Sequence, residues 1–316
     1  MAQNPFVRPS LAISYCTSMN RPDAALALAT IHGFEGTRRS RAGAICVAGS
    51  GVAAAIYCDM VGRFYTVGPV PNANDVLPVG LAIETPPAPD PPMVRAAVDR
   101  KNAKGEPAYP HSIRKATDTS QAEAMLRNGV TLQQETALVL SAPATVLARI
   151  VDLNGVKDLF AKRVKRLVIV DAGEPQRDVA ALRKVLREWP TPIVLCGREV
   201  GESLLFPGTS VERDFVWTDA HPVADAYRAF KPMPYDAPSY DVAAVHYAST
   251  PQSPLFELSA PGTITVSDSG RLSFAEGGGT AASLRVAAGK SAEAIQAFIE
   301  VASAQPVAPT RRGRGA

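Results

Sequence analysis

The sequence predicts an α/β fold in which helices flank a mostly parallel central sheet. Three observations lead to this prediction. Short apolar runs of strand length recur along the chain, the segments between them have the length and apolar spacing of helices, and the two kinds alternate from near residue 11 to residue 196. Strands that alternate with helices form βαβ units, whose neighbouring strands run parallel.

The first part of the chain contributes three predicted strands and two helices. We expect the strands at Leu11–Tyr15, Ala42–Ala48 and Val79–Ile83, and the helices at Pro22–Phe34 and Val52–Phe64. Pro22 suits the first turn of its helix, where backbone N–H groups have no partner within the helix. The proline-rich stretch from Pro86 to Pro92, with the polar segment up to about Asp118, predicts a long loop.

The alternation resumes after this loop and changes character near Gly197. The next strands are predicted at Thr136–Ser141, Val164–Asp171 and Ile193–Cys196, and the helices at about Gln121–Asn128, Ala144–Leu153 and Val179–Trp189. Later helices are predicted at Pro222–Phe230, Tyr240–Ala248 and Ala292–Ala302. Gly262–Val266 and Arg271–Phe274 flank a Ser-Asp-Ser-Gly segment, which predicts a small C-terminal hairpin.

The charge of the chain comes from its last residues. The formal net charge is +3, from 33 Lys and Arg against 30 Asp and Glu. Arg311, Arg312 and Arg314 lie among the last eleven residues, which contain no acid, so the remainder has equal numbers of both charges. A neutral body argues against a nucleic-acid-binding domain, which needs clustered basic residues. We therefore expect one α/β domain over residues 1–305 and a disordered basic tail over 306–316, with nucleic-acid contact only through that tail.

Membrane and export signals are weak in this sequence. The N-terminus lacks the apolar core of a signal peptide, and the longest uncharged run, Ala42 to Cys58, is short for a membrane span and contains three glycines. The four cysteines, Cys16, Cys46, Cys58 and Cys196, show no metal-binding or disulfide spacing. These features predict a cytoplasmic protein with reduced cysteines and no membrane partner.

Gly49–Ala54 forms a G-x-G-x-x-A segment between a predicted strand and a predicted helix. This is the context of a dinucleotide phosphate turn, in which glycines allow the backbone to approach the pyrophosphate. It follows the second strand rather than the first, and Glu84, the acidic residue after the next strand, lies too far downstream. A tight turn that needs glycine explains the segment equally well.

Four segments resemble, in chain order, the motifs of the inosine–uridine nucleoside hydrolase family. Cys16–Leu28 resembles its D-x-D-x-G-x-D-D-A-x-A-L cluster, and Leu140–Ala148 its T-G-P-L-T-N-x-A turn. Val164–Gly173 resembles the strand that ends in M-G-G, and Tyr240–Val245 lies where the family has H-D or W-D before an apolar helix. The resemblance spans about residues 10 to 275. Glu199–Phe274 looks closest to a divergent bacterial subgroup, and the fold implied is that of a nucleoside hydrolase.

The resemblance also implies a chemistry. In that family, aspartates hold a calcium ion that binds a water and the ribose hydroxyls, and an aspartate takes the proton of the water. Family members are commonly dimers or tetramers, so a homo-oligomer is expected.

This chain departs from the pattern at most metal-binding positions. The first, second and third aspartates fall on Cys16, Ser18 and Pro22, the glycine on Asn20, and the leaving-group histidine of some members on Tyr240. Asp23 is kept, Asp241 matches the late metal-binding aspartate, and Ser141 could still present a backbone oxygen. The sugar-gripping E-F-N segment after Gly173 is missing. Calcium takes six to eight oxygens, several of them charged, so two carboxylates make a poor site.

The resulting prediction is a homologue with a degenerate calcium site, non-catalytic or weakly active, that binds a ribonucleoside-like ligand, a sugar or a protein partner. The ligand-binding candidates are Asp23, Asn20, Ser141 and Asp241, and Ser18 and Tyr240 occupy degenerate catalytic positions. No cofactor is expected; calcium would bind only at a residual site formed by Asp23 and Asp241. Two alternatives stay open: an active N-glycosidic hydrolase using those aspartates for metal, and a dinucleotide-binding protein using Gly49 and Gly51. Asp23 and Asp241 could also serve only to cap helices.

Overall fold

The computed structural model describes residues 9–65, 79–84, 88–174 and 178–306. Within them the strands are β1 (Leu11–Thr17), β2 (Arg41–Val47), β3 (Val79–Leu81), β4 (Ser120–Gln121), β5 (Glu135–Ser141), β6 (Val164–Val170), β7 (Ile193–Cys196), β8 (Leu205–Phe206), β9 (Ala237–Pro238), β10 (Phe256–Leu258), β11 (Gly262–Val266), β12 (Leu272–Glu276) and β13 (Ala282–Val286). The helices are α1 (Pro22–Gly36), α2 (Val52–Tyr65), α3 (Pro92–Val98), α4 (Ala122–Leu132), α5 (Thr145–Ile150), α6 (Val156–Arg163), α7 (Val179–Glu188), α8 (Arg198–Ser203), α9 (Gly208–Arg213), α10 (Pro222–Phe230), α11 (Tyr240–Ser249) and α12 (Ser291–Ala302).

The main sheet has nine strands in the order β10-β13-β7-β6-β5-β1-β2-β3-β4. All neighbouring pairs are parallel except β10 with β13. From β1 the chain moves outward through β2 and β3 to β4, and it then returns to the other side of β1 as β5. The strand order therefore reverses between β1 and β5, which opens a crevice at their carboxyl ends, where open α/β sheets bind ligands.

Alternating side chains of the sheet enter two hydrophobic cores, one on each face. In β5, Ala137 and Val139 face the core built with α1, α2, α10, α11 and α12, whereas Leu138 and Leu140 face the core built with α4 to α7. This alternation follows from the two-residue repeat of a strand. Both faces are covered, as expected for a parallel sheet.

Helices α1 and α11 are buried on all sides. From Pro22 to Phe34 every residue of α1 is buried, and so is every residue of α11. A helix that is apolar around its whole circumference belongs inside the protein, and these two pack against each other over the sheet. Their N-termini lie at the carboxyl edge of the sheet, so polar residues in their first turns are brought to the crevice.

The predicted α/β fold with a mostly parallel sheet is confirmed, and β11 and β12 form the predicted antiparallel hairpin. The predicted loop after Pro86 instead contains α3, which begins at Pro92, and the short edge strand β4 follows the loop. The predicted helix Ala144–Leu153 is divided into α5 and a turn before α6.

Two further predictions concern the ends of the chain and the membrane. All of the predicted tail after residue 306 lies outside the described residues. Of the helices that the structure describes, none is long and apolar enough to cross a membrane.

Candidate functional site

A polar cavity lies at the point where the strand order reverses. We call it the Arg21 cleft; it has a volume of about 60 Å³, and the loops after β1, β2, β5 and β6 surround it. Its lining residues are Ser18, Asn20, Arg21, Gly49, Ser141, Ala142, Pro143, Val170, Ala172 and Glu174. One water molecule needs about 10–15 Å³ of such volume, so the cleft has room for about four to six waters or for one edge of a small sugar.

The loop after β1 carries three of the cleft residues. Met19 has a φ of 52°, a left-handed conformation that is uncommon outside glycine, and its N–H donates to the Thr17 hydroxyl at 3.0 Å. This turn places Ser18, whose hydroxyl donates to the Asn20 carbonyl oxygen at 2.9 Å. Arg21 is extended, as expected for a residue that precedes proline. The loop therefore directs polar groups toward the carboxyl ends of β1 and β5.

Arg21 connects the two aspartates that the sequence singled out. Its Nη2 donates to Asp241 Oδ1 at 3.1 Å and to the Ser141 hydroxyl oxygen at 2.8 Å. Its Nε lies 3.4 Å from Asp23 Oδ1, an ion pair without the geometry of a hydrogen bond. Only 15% of the side chain is exposed, so a guanidinium is buried between two carboxylates.

Asp23 and Asp241, which we call the aspartate pair, have protein donors on their oxygens. The Asp241 carboxylate accepts from the Tyr15 hydroxyl at 2.5 Å and from the Ser141 hydroxyl at 2.6 Å, in addition to Arg21. Asp23 Oδ2 accepts from the backbone N–H of Asp241 at 2.8 Å. Asp23 therefore caps α11 rather than its own helix, and the N-terminal end of a helix favours such a negative charge.

The electrostatics of the cluster follow from this burial. Burial, followed by repulsion from Asp241, raises the pKa of Asp23 to about 7 against the opposing effect of Arg21. Burial alone would lower the pKa of Arg21, but Asp241 and Asp23 together raise it above its ordinary value. Burial and the neighbouring Asp241 raise the pKa of the Tyr15 hydroxyl, which keeps it a hydrogen-bond donor. The cluster is held together by a cation that cannot lose its charge.

Tyr240 and Tyr235 lie beside Arg21 but are occupied by internal contacts. The Tyr240 ring lies 5.9 Å from the Arg21 guanidinium, and a Cβ atom added to Gly201 would come within 2.1 Å of it. The Tyr235 ring stacks on Tyr227 at 4.5 Å, with the Lys231 ammonium 4.5 Å from its centroid. Both tyrosines line a second cavity, of about 110 Å³, on the other side of Arg21.

The glycine turn after β2 meets carboxylates instead of an anion site. The N–H of Ala53, in the first turn of α2, donates to Asp90 Oδ1 at 2.8 Å, and the N–H of Gly49 donates to Glu84 at 3.0 Å. A phosphate at this turn would compete with both acidic side chains and be repelled by them. The geometry does not favour the dinucleotide alternative that used Gly49 and Gly51.

The donor set at the aspartate pair does not fit a calcium ion. Calcium takes six to eight oxygens. Here both carboxylates are bonded to protein donors, and the Arg21 guanidinium that pairs with them would repel a second cation. Ser18 and Asn20 are bonded to each other, and among the described residues no three His, Cys, Asp or Glu side chains are grouped to hold a metal ion.

The structure brings the sequence-predicted residues together and adds two that the sequence did not single out. Ser18, Asn20 and Ser141 line the cleft, while Asp23, Asp241 and Tyr240 lie behind Arg21. Arg21 and Glu174 were missed. One signal could have revealed Arg21, since a cation immediately before the first turn of a helix opposes the helix dipole and needs a compensating acid. Glu174 follows β6 at the same edge, where Asn20 Nδ2 approaches it at 3.4 Å.

Comparison with known proteins gives likeness in structure only. No protein-family model matches the chain, and no curated protein matches its sequence. An inosine–uridine preferring nucleoside hydrolase from Bacillus anthracis is 14% identical, with a TM-score of 0.65 over 92% of this chain and 99% of that one. A plant nucleoside hydrolase, PpNRh1, is 17% identical, with a TM-score of 0.66 over 94% of this chain and 100% of that one.

A third similar structure is a type III effector protein, XopQ, complexed with adenosine diphosphate ribose. It is 14% identical, with a TM-score of 0.61 over 95% of each chain. At these identities the comparisons establish a nucleoside-hydrolase-like fold and leave the activity to be argued from the site.

Proposed function

We propose that this protein binds the sugar part of a ribonucleoside-like ligand in the Arg21 cleft and has little or no N-glycosidic hydrolase activity. The observation that carries the proposal is the cleft itself. A small polar cavity lies at the strand-order reversal of a nucleoside-hydrolase-like fold, but the carboxylates behind it are bonded to protein donors.

The side chains of the cleft suit the hydroxyl groups of a sugar. Glu174 is exposed and has carboxylate oxygens that can accept from hydroxyls, whereas Asn20 offers both donors and acceptors. Arg21 Nη1 approaches Asn20 Oδ1 at 3.3 Å and can donate a further N–H into the cavity. Hydroxyls donate and accept, so they can satisfy such a mixed set of groups. A similar structure holds adenosine diphosphate ribose, another ribose-containing ligand, which supports the choice of ligand class.

The same contacts argue against efficient hydrolysis. Hydrolysis by water needs a general base within hydrogen-bond reach of that water. The Asp241 carboxylate accepts from Tyr15, Ser141 and Arg21, and the Ser18 hydroxyl donates to Asn20. These bonds would have to break before either group could activate a water.

Titration calorimetry with D-ribose, inosine, uridine and adenosine diphosphate ribose, in buffer containing EDTA, tests the proposal. At least one of these probes should bind, and Glu174→Gln should weaken it about tenfold, because a hydrogen bond to a charged group contributes about 1.5–3 kcal/mol. Glu212→Gln, a change at an exposed glutamate on α9 away from the cleft lining, is the matched control and should leave the affinity unchanged.

Incubation of the protein with inosine, followed by chromatography of the free base, tests the second half of the proposal. We expect no release above the rate without protein. Steady turnover, or a failure of all four probes to bind, would contradict the proposed function.

A further inference from the structure

We propose that Arg21 is the resident cation of this site: its guanidinium takes the place of a metal ion between Asp23 and Asp241, and its removal would turn the aspartate pair into a weak divalent-cation site. Arg21 would have this role whether or not the cleft binds a sugar. A side chain of the protein would then supply the positive charge that a metal would otherwise bring.

The first support is the position of the guanidinium. It forms ion pairs with both aspartates, through Nη2 to Asp241 at 3.1 Å and through Nε to Asp23 at 3.4 Å. The aspartates come from the first turns of two different buried helices, α1 and α11. Arg21 therefore joins the two helix ends at the carboxyl edge of the sheet.

The second support is the burial of the charges. Asp241 is completely buried and Asp23 is 1% exposed. Two buried carboxylates that share one site need a counter-charge, because an unpaired buried charge is costly and like charges repel. Among the described residues, Arg21 is the cation that pairs with both of them.

The third support is the unfavourable local position of Arg21. It is the residue that precedes the first turn of α1, where the helix dipole disfavours a positive charge. Its side chain makes no capping bond to α1. The aspartate pair supplies the compensation that makes a cation stable there.

Calcium titration of variants tests the proposal directly. The wild type should show no calcium binding in calorimetry and no rise in melting temperature with calcium. Arg21→Ala removes the cation and opens space between the carboxylates, so it should bind calcium with an affinity of about 10⁻⁴–10⁻³ M, the range of weak calcium sites. The binding should disappear in Arg21→Ala combined with Asp241→Asn.

Arg63→Ala is the matched control. Arg63 also pairs with a buried carboxylate, since its Nε lies 2.9 Å from Asp59, which is 2% exposed. The Asp59 carboxylate keeps its backbone donors from Ser112 and Ile113. Within the described part of the chain, Arg63 forms an ion pair with Asp59 and with no second aspartate. Arg63→Ala should therefore gain no calcium binding.

A second measurement covers the case in which Arg21→Ala does not fold. Arg21→Met keeps most of the side-chain volume without the charge, and it can be combined with Asp241→Asn in a double-mutant cycle of urea unfolding. If Arg21 compensates Asp241, Asp241→Asn should lower the folding equilibrium constant less in the Arg21→Met background than in the wild type. The two reductions should differ by a factor of about ten or more.

The outcomes separate this proposal from the proposed function. Calcium binding by the wild type, a folded Arg21→Ala variant without calcium binding, or additive effects in the cycle would each overturn the role of Arg21. None of these results depends on whether ribose or a nucleoside binds to the cleft.

Discussion

Replacement of Tyr15 by phenylalanine removes one oxygen atom from the centre of the aspartate pair. The Tyr15 hydroxyl is fully buried on β1 and donates to Asp241 Oδ2 at 2.5 Å. A hydrogen bond to a charged group contributes about 1.5–3 kcal/mol, and the carboxylate oxygen left behind belongs to Asp241, which is completely buried. We therefore expect Tyr15→Phe to lower the free energy of unfolding by about 2–3 kcal/mol.

Urea unfolding followed by circular dichroism measures this change. An unfolding entropy of about 2.1 cal/mol/K per residue over 316 residues gives about 1.5 °C per kcal/mol, so the melting temperature should fall by about 3–5 °C. The denaturant midpoint should shift while the slope of the transition stays constant.

Tyr57→Phe provides a control of the same residue type and burial. The Tyr57 hydroxyl is also buried but donates to a neutral acceptor, the Pro222 carbonyl oxygen, at 3.2 Å. Its loss should cost only about 0.5–1.5 kcal/mol. If Tyr15→Phe is no more destabilising than Tyr57→Phe, the Tyr15 hydroxyl does not stabilise a buried carboxylate and the electrostatic account of the cluster is wrong.

Two further predictions concern the stability of the protein. Burial, then the charge of Arg228, lowers the pKa of His221 to about 3. Below pH 6.5 the histidine is therefore protonated in the unfolded chain but stays neutral in the native protein, which destabilises the native protein as the pH falls. Between pH 7.5 and 5.5, the free energy of unfolding of the wild type in urea should fall by about 1.4 kcal/mol more than that of His221→Phe. The same pH dependence in both proteins would contradict this. Gly201→Ala places a Cβ atom within 2.1 Å of Tyr240 Cδ1 and should destabilise the protein by about 1–3 kcal/mol. The loss should shrink in a Tyr240→Ala background, and an unchanged loss would show that the contact is not its cause.

The strands and helices that carry the site could be predicted from the sequence, because the patterns that indicate them are local. Apolar runs and helix-length segments placed β1, β5 and the helices α1 and α11 in order. The carboxyl ends of parallel strands meet at one edge, so Ser18 and Ser141 belong together even though more than a hundred residues separate them. The short helices α8 and α9, of six residues each, lack a full amphipathic repeat and were missed.

The chemistry of the site depended on contacts that a periodic pattern does not encode. Arg21 pairs with Asp241, which lies 220 residues further along the chain, and Tyr15 reaches the same carboxylate from β1. The sequence showed which acids were missing relative to the resembled family. It did not show that the two remaining acids share a guanidinium, since that requires the packing of α1 against α11.

A crystal structure of the protein grown with millimolar calcium chloride tests the central claim most directly. We expect the Arg21 guanidinium to lie within hydrogen-bond distance of Asp241 and within ion-pair distance of Asp23, as it does here, and no calcium ion between the two carboxylates. A calcium ion coordinated by Asp23 and Asp241, with Arg21 turned away from them, would contradict the claim.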